Sequence, residues 1–234
     1  DFVASSKNLM QFASASRRMR PDDLTRISSL YDAGLRHTDN VLAEIFEGLT
    51  ERGLMNDTYV ILTSDHGEEF GDHGGLLHRD LLYDELLRVP LIVLGPDIEP
   101  SRRNGLASTV DIVPTALGLL GVQTEMPLEG NDLLALEPDQ PSYTISQYGP
   151  SRYAVSTSKW KLIESVPRKT ELYDLQTDPR EAFDIQSDQE EQVQELRQIL
   201  RRWLRKERQT HSTSASQDLS VEEINRLEAL GYIN

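Results

Sequence analysis

Residues 58–69 constrain the fold of this chain more than any other segment. They read TYVILTSDHGEE, an apolar run rich in β-branched residues that stops at Asp65 and His66. Such a run predicts a buried strand, and open α/β sheets place metal ligands and reactive groups at strand carboxyl ends. A carboxylate oxygen and an imidazole nitrogen together suit one divalent cation. We therefore predict that Asp65 and His66 are metal ligands; the alternative is a turn in which the aspartate only caps neighbouring backbone.

The composition excludes several classes of protein. The formal net charge is −15 at pH 7, whereas affinity for nucleic-acid backbones needs a basic surface, so we expect no nucleic-acid partner. No apolar run approaches the roughly 20 residues of a membrane span. Because the chain has no cysteine, it holds neither a disulfide nor a thiolate metal site. We interpret the chain as a fragment or processed product, and expect it to be cytoplasmic, or extracytoplasmic if residues preceding Asp1 carry a signal.

Residues 1–122 have the pattern of an α/β unit. Pro21 and the two aspartates after it predict the start of a long helix that Gly53 ends. A strand over 58–63 follows, then a glycine-rich loop, a short helix over 80–87, a second apolar strand over 89–94 and a helix over 109–120.

The sequence of residues 123–209 predicts a smaller unit that differs in construction from the α/β unit before it. Short runs over 152–157, 160–164 and 171–175 favour an antiparallel meander. An amphipathic helix follows, and its apolar face carries Val193, Leu196, Leu200 and Leu204. Residues 210–234 predict a linker over 211–217 and a last short helix over 221–230.

Five motifs follow one another in a fixed order. They are SDHGEEFGDHG, HRDLLYDELLRVPLIV, STVDIVPTALGLLG, KWKLIE and ELYDLQTDPRE. In this order they resemble the second half of a sulfatase of the alkaline phosphatase superfamily, over about residues 31–184. The resemblance implies an alkaline-phosphatase-like three-layer α/β/α sandwich, present in part, followed by a small C-terminal subdomain of an antiparallel β-sheet plus a helix.

The resemblance also implies an activity, the hydrolysis of sulfate monoesters of small molecules or glycans. In that family one divalent cation polarises the ester while a side-chain nucleophile attacks. Asp65 and His66 match one of the family's metal-binding pairs; calcium is the usual metal, and manganese or zinc is an alternative because a histidine stands where asparagine is common. His78 matches a position that contacts the substrate anion, and Arg79 is its rival. Either cation would neutralise charge on the transferred group or protonate the leaving oxygen.

Two parts of the family pattern are missing from the chain. These are a first pair of metal-binding aspartates and a Cys/Ser-x-Pro-x-Arg motif, whose first residue matures to formylglycine. Residues 148–152, YGPSR, mimic that motif with tyrosine in the nucleophile position. They lie downstream of the metal pair, and we interpret them as the start of the C-terminal sheet. We therefore expect the chain alone to be inactive.

Other interpretations stay open at this point. The chain could belong to a phosphodiesterase, phosphonate hydrolase or phosphoglycerol transferase of the same superfamily, with a phosphate ester as substrate. It could also be a non-catalytic binding or structural domain. An exposed sheet edge would favour a homo-oligomer.

Three further residues have structural interpretations. We expect His73 to stabilise its loop by hydrogen bonds and not to bind metal. We expect Arg88 to pair with Asp84 or Glu85. Asp111 should cap or open its helix.

Overall fold

A computed structural model provides the structure of the chain and describes residues 21–78, 80–136, 143–165 and 169–213. The α-helices are α1 (Pro21–Glu51), α2 (Asp84–Leu87), α3 (Ile112–Leu119) and α4 (Glu190–Thr213). The strands are β1 (Val60–Thr63), β2 (Glu69–Phe70), β3 (Leu76–Leu77), β4 (Leu91–Leu94), β5 (Thr144–Tyr148), β6 (Arg152–Ser156), β7 (Trp160–Ser165) and β8 (Lys169–Asp174). Short 3₁₀ helices lie at Met55–Asp57 and Thr109–Asp111.

Helix α1 begins and ends where its sequence predicts. Proline at the first position and acidic residues in the first turn favour a helix start. At the other end Gly53 has a φ of +67°, a conformation that glycine adopts without strain. The amide of Leu54 then donates to the carbonyl of Leu49 at 2.9 Å, which satisfies one of the last carbonyls of the helix.

The strands β1 and β4 pair antiparallel, with Val60 opposite Leu94 and Thr63 opposite Leu91. The prediction that both are buried strands is wrong for the part of the chain that is described. Both side-chain rows of β1 are half-buried, and Ile92 and Leu94 of β4 are 45% and 39% exposed. A two-stranded sheet offers too little neighbouring structure to cover both of its faces. The homo-oligomer that such an exposed apolar surface would favour stays a prediction.

The C-terminal unit is the predicted antiparallel meander, in the order β5-β6-β7-β8. Residues 148–152 form the turn between β5 and β6, and Gly149 within it has a φ of +55°. The interpretation of YGPSR as the start of this sheet is therefore only partly right: these residues lead into β6, but β5, which was not predicted, comes before them in the sheet. Helix α4 covers one face of the sheet. The core between them contains Val155, Leu162, Leu172, Val193, Leu196 and Leu200.

Asp111 opens its helix, which is one of the two roles predicted for it, as the third residue of a capping box with Ser108 at the N-cap. Its Oδ2 accepts the backbone N–H of Ser108 at 2.7 Å and its Oδ1 accepts that of Asn131 at 2.8 Å. The first turn, Thr109–Asp111, is 3₁₀, and α3 proper begins at Ile112. Farther along the chain, residues 211–213 continue α4 and do not begin a linker. The rest of that predicted linker and the helix predicted over 221–230 lie outside the described residues.

The second face of the C-terminal sheet packs against residues 81–87. Side chains alternate across a strand, so Lys161 and Ile163 of β7 point away from α4, as do Glu171 and Tyr173 of β8. Ile163 and Tyr173 form a buried cluster with Leu82, Tyr83 and Ala154. The loop that follows Asp65 and His66 therefore rests on this sheet.

Glu171 connects this sheet face to the loop. Its Oε1 accepts hydrogen bonds from Lys169 Nζ at 2.7 Å, Tyr83 Oη at 2.8 Å and Tyr173 Oη at 3.0 Å. Burial raises the pKa of this carboxyl, but the hydrogen bonds from Lys169 and the two tyrosines outweigh burial, so the pKa of Glu171 lies below its usual value.

Glu171→Gln is expected to destabilise the fold in a pH-dependent way. Because the folded-state pKa is lowered, the ionised carboxylate stabilises the fold above the unfolded value of 4.5, and this contribution is lost as pH falls through the folded pKa. We expect a loss of about 1–3 kcal/mol at pH 7, shrinking below pH 4.5, in urea unfolding followed by circular dichroism. The exposed Glu125→Gln serves as control. A deficit that is equal at pH 7 and pH 3 would contradict the assignment.

Candidate functional site

Asp65 and His66 lie in a tight turn directly after β1. The Oδ1 atom of Asp65 accepts the backbone N–H of His66 at 3.0 Å, and Ser64 Oγ donates to the carbonyl of His66 at 2.8 Å. That backbone N–H lowers the pKa of Asp65, which favours the carboxylate form. One carboxylate oxygen of Asp65 thus caps neighbouring backbone, as the alternative interpretation predicted. The other, Oδ2, faces the imidazole of His66.

The backbone fixes which imidazole nitrogen of His66 can bind a metal. Nδ1 lies 2.8 Å from the carbonyl oxygen of Gly67. A carbonyl only accepts hydrogen bonds, so Nδ1 carries the proton in the neutral ring and Nε2 presents its lone pair. Nε2 is 3.8 Å from Asp65 Oδ2. An anionic carboxylate oxygen and a neutral imidazole nitrogen are ligand types that divalent metals take, so these two neighbouring residues fit a divalent metal.

The structure brings His78 to this pair. The imidazole rings of His66 and His78 have centroids 4.3 Å apart and are tilted by 35°. His78 Nδ1 lies 3.4 Å from Oε1 of Glu68, too far for a strong hydrogen bond. Arg79, the rival of His78, lies outside the described residues.

Glu68 is a site residue that the sequence reasoning missed. Its side chain is mostly buried, and its Oε1 has no hydrogen-bond partner within the described ranges. A buried carboxylate oxygen without a partner attracts a hydrogen-bond donor or a cation, and the imidazole of His78 lies beside it. Its place three residues after Asp65, in DHGEE, was the signal that could have identified it.

His73 stabilises the loop, as predicted. Nδ1 lies 2.6 Å from Glu85 Oε1, and Nε2 lies 3.0 Å from the carbonyl oxygen of Glu181. Burial lowers the pKa of His73, but these two acceptors outweigh it and the net pKa is raised. The ring also stacks on Tyr83 at 3.5 Å. His73 is therefore held between α2 and the residues after β8.

The prediction for Arg88 is wrong. Its two expected partners are engaged elsewhere, Asp84 with Lys161 and Glu85 with His73. The guanidinium group makes no ion pair with any residue that the structure describes, and Arg88 lines a wide cleft of about 2050 Å³ with Asp65 and His66. Asp84 reaches Lys161 of the C-terminal sheet and Glu85 reaches His73 of the loop, whereas Arg88 directly after α2 is exposed.

Backbone contacts hold the metal pair against α2. The amide of Gly67 donates to the carbonyl of Leu86 at 2.8 Å. The buried carboxylate of Glu69 accepts the amides of His73 at 3.0 Å and Gly75 at 2.6 Å, which closes the glycine-rich loop. The position of His66 is therefore set by short contacts to its neighbours and by the helix that faces it.

The described residues supply only part of a metal site. No group of three or more histidine, aspartate or glutamate side chains arranged for a metal occurs among them. Nor does any helix within the described ranges have the length and apolarity to cross a bilayer. Asp65 and His66 are therefore two candidate ligands, fewer than a divalent metal usually takes.

Two family models match the chain. The Sulfatase model matches residues 6–122, and the model described as N-sulphoglucosamine sulphohydrolase, C-terminal, matches residues 71–210. Arylsulfatase K of Gallus gallus is 32% identical over 199 residues, which cover 76% of this chain and 37% of that protein. The chain thus spans about a third of the length of the curated relatives it matches.

Solved structures agree with these matches. One, a protein in complex with its substrate D-glucosamine-2-N,6-O-disulfate, aligns with a TM-score of 0.63 and 26% identity over 71% of this chain and 38% of its own. Another, a candidate sulfatase of Bacteroides thetaiotaomicron, aligns with a TM-score of 0.77 and 20% identity over 92% of this chain and 50% of its own. The latter shows the fold alone: alkaline-phosphatase-like, mixed α/β, with a small antiparallel sheet and a helix. Family models, sequence relatives and fold agree, and the chain belongs to the sulfatase family.

Proposed function

We propose that this chain is the C-terminal portion of a metal-dependent sulfatase that hydrolyses sulfate monoesters. The observation that carries the proposal is the arrangement of Asp65 Oδ2 and His66 Nε2, which lie 3.8 Å apart beside a wide cleft in a chain of this family. A carboxylate and an imidazole whose proton is held on the other nitrogen are suited to one divalent cation. Calcium is the metal we favour, with manganese or zinc as alternatives.

The metal, when bound, would act as a Lewis acid on the ester. Asp65 and His66 would hold it, Asp65 through its free oxygen and His66 through Nε2. His78 lies beside His66 and would contact the non-bridging oxygens of the substrate or give a proton to the leaving oxygen. Its Nδ1 faces Glu68, which leaves Nε2 for the substrate. Arg79 stays the rival for this role.

The chain alone should be inactive. Two metal ligands do not complete a coordination sphere, and 234 residues without cysteine contain no candidate for a formylglycine derived from cysteine. The apolar surfaces of β4 and α1 that remain exposed are further support, since an intact catalytic domain would cover them.

A sulfated glycan is the substrate class that we propose. The support is a solved relative, 26% identical, whose complex contains D-glucosamine-2-N,6-O-disulfate as substrate. The exposed cleft beside Asp65 and His66 has room for a ligand of that size.

The test uses the full-length protein that contains this chain. We expect release of 4-nitrophenol from 4-nitrophenyl sulfate with Ca²⁺ or Mn²⁺, abolished by EDTA and restored by added metal. Faster hydrolysis of bis-4-nitrophenyl phosphate would favour the phosphate-ester alternative. If neither ester is hydrolysed and calorimetric titration shows no metal bound, the chain is a non-catalytic domain.

A further inference from the structure

A buried ion cluster joins the C-terminal sheet to the loop that carries the metal pair. Lys161 of β7 has a fully buried side chain. Its Nζ donates to Asp84 Oδ1 at 2.8 Å and forms an ion pair with Glu181 Oε1 at 2.8 Å, without hydrogen-bond geometry in the second contact. An ammonium group is placed in a protein interior only where carboxylates compensate its lost hydration. This cluster is therefore a costly arrangement, and the catalytic roles proposed above do not use it.

The first path from this cluster leads to His66. Asp84 is the first residue of α2, and its backbone N–H donates to Glu181 Oε2 at 2.5 Å. Lys161 thus binds the side chain of Asp84, and Glu181 binds its backbone amide, at the first residue of the helix. Near the other end of α2, the carbonyl oxygen of Leu86 accepts a hydrogen bond from the amide of Gly67 at 2.8 Å. The carbonyl oxygen of Gly67 in turn accepts a hydrogen bond from Nδ1 of His66.

The second path leads to the glycine-rich loop. The carbonyl of Glu181 binds Nε2 of His73, whose Nδ1 lies 2.6 Å from Glu85 of α2. Glu181 itself has a φ of +53°, which is uncommon for a residue with a side chain. This conformation lets one residue give its carboxylate to Lys161 and its carbonyl to His73. Both paths therefore begin at residues outside the loop; the first ends at the turn that carries His66, and the second ends at His73 in the glycine-rich loop and at Glu85 of α2.

We propose that Lys161 is a positioning residue that fixes Asp65 and His66 in their metal-binding arrangement through Asp84, Glu181 and helix α2. It touches neither metal nor substrate. The inference rests on the proposed function, since it concerns the same metal pair. Outer-shell groups of this kind typically change metal affinity or activity by about 10–100-fold.

The primary test is Lys161→Met in the full-length protein. We expect the dissociation constant for Ca²⁺ or Mn²⁺ to rise by about tenfold or more and kcat to fall by a similar factor. In the metal-free protein with EDTA, hydrogen exchange of the Gly67 amide should accelerate while that of helix α4 stays unchanged. Lys159→Met is the matched control, because Lys159 lies two residues away, its side chain is 45% exposed, and its ammonium group contacts only Trp160 and Asp174 among the described residues. It should leave all three readouts unchanged.

A second variant separates positioning from stability. Lys161→Met leaves the Glu181 carboxylate buried without a cation, and burial already raises the pKa of that group in the presence of Lys161. Lys161→Met combined with Glu181→Gln removes the unpaired charge and should restore the Tm. Asp84 still lacks its lysine in the double variant, so we expect metal affinity and kcat to stay low.

The outcomes distinguish this inference from the proposed function. A double variant that regains Tm, metal affinity and kcat together would show that Lys161 is merely structural. Equal metal affinity in wild type and Lys161→Met would also overturn the inference, while leaving the sulfatase proposal intact. If the wild type binds no metal, the proposed function fails, and unchanged exchange at Gly67 would then overturn the positioning role as well.

Discussion

Asp65→Ala is expected to lower kcat/KM for 4-nitrophenyl sulfate in the full-length protein by about a thousandfold, equivalent to about 4 kcal/mol. The substitution removes the anionic member of the metal pair, so the metal is bound weakly or lost. The folded state should be nearly unaffected, because this side chain is 66% exposed. Steady-state kinetics at several metal concentrations, with a Tm for each variant, provide the measurement.

Asp72→Ala is the matched control for this prediction. Asp72 is also an exposed aspartate in the same loop, and its Oδ2 only accepts the backbone N–H of Phe70 at 3.1 Å. It should retain kcat/KM within a few-fold of wild type. Asp65→Asn, which keeps the size and the backbone hydrogen bond, should recover part of the activity at high metal concentration. Full activity in Asp65→Ala would exclude this residue as a ligand.

Gly67→Ala is expected to have the second large effect. A Cβ at this position would overlap the backbone carbonyl of Glu85 and crowd the Cα of Leu86. Backbone cannot rotate away as a flexible side chain can, so the turn and α2 must move apart, at a cost of about 1–3 kcal/mol of unfolding free energy. The separation breaks the Gly67 to Leu86 hydrogen bond. A displacement of about 1 Å at His66 should reduce kcat by about a hundredfold.

Gly34→Ala is the control for the glycine substitution. Gly34 lies within α1, and a Cβ there meets no atom of the described part of the chain within 4 Å. Alanine favours the helix by up to about 1 kcal/mol over glycine, so this variant should be equal to wild type or slightly more stable. Thermal unfolding and kcat are measured on both variants. Equal Tm and kcat in Gly67→Ala and wild type would mean that the contact with α2 does not hold the turn.

Local sequence determined those features that depend on near neighbours. The end of α1 before Gly53 and the start of the helix at Asp111 were predictable because each rests on short-range backbone geometry. Asp65 and His66 were predicted as a metal-binding pair on similarly local grounds, since they are adjacent and the hydrogen bond that selects the tautomer comes from the next residue. The apolar face of α4 followed from its helical period.

Only the tertiary structure decided how the loop is held. In KWKLIE, side chains alternate between the two faces of the strand, and Lys161 lies on the face opposite the one that packs on α4. In a sheet with only one covered face, such a lysine would face solvent. Here residues 81–87 cover that second face, so the lysine is buried with Asp84 and Glu181. Likewise, the apolar sequences of β1 and β4 predict buried strands. Whether the strands are buried depends on which other elements pack against them. Periodicity determines which side chains share a face of a strand, while long-range packing decides whether that face is covered and by which partner.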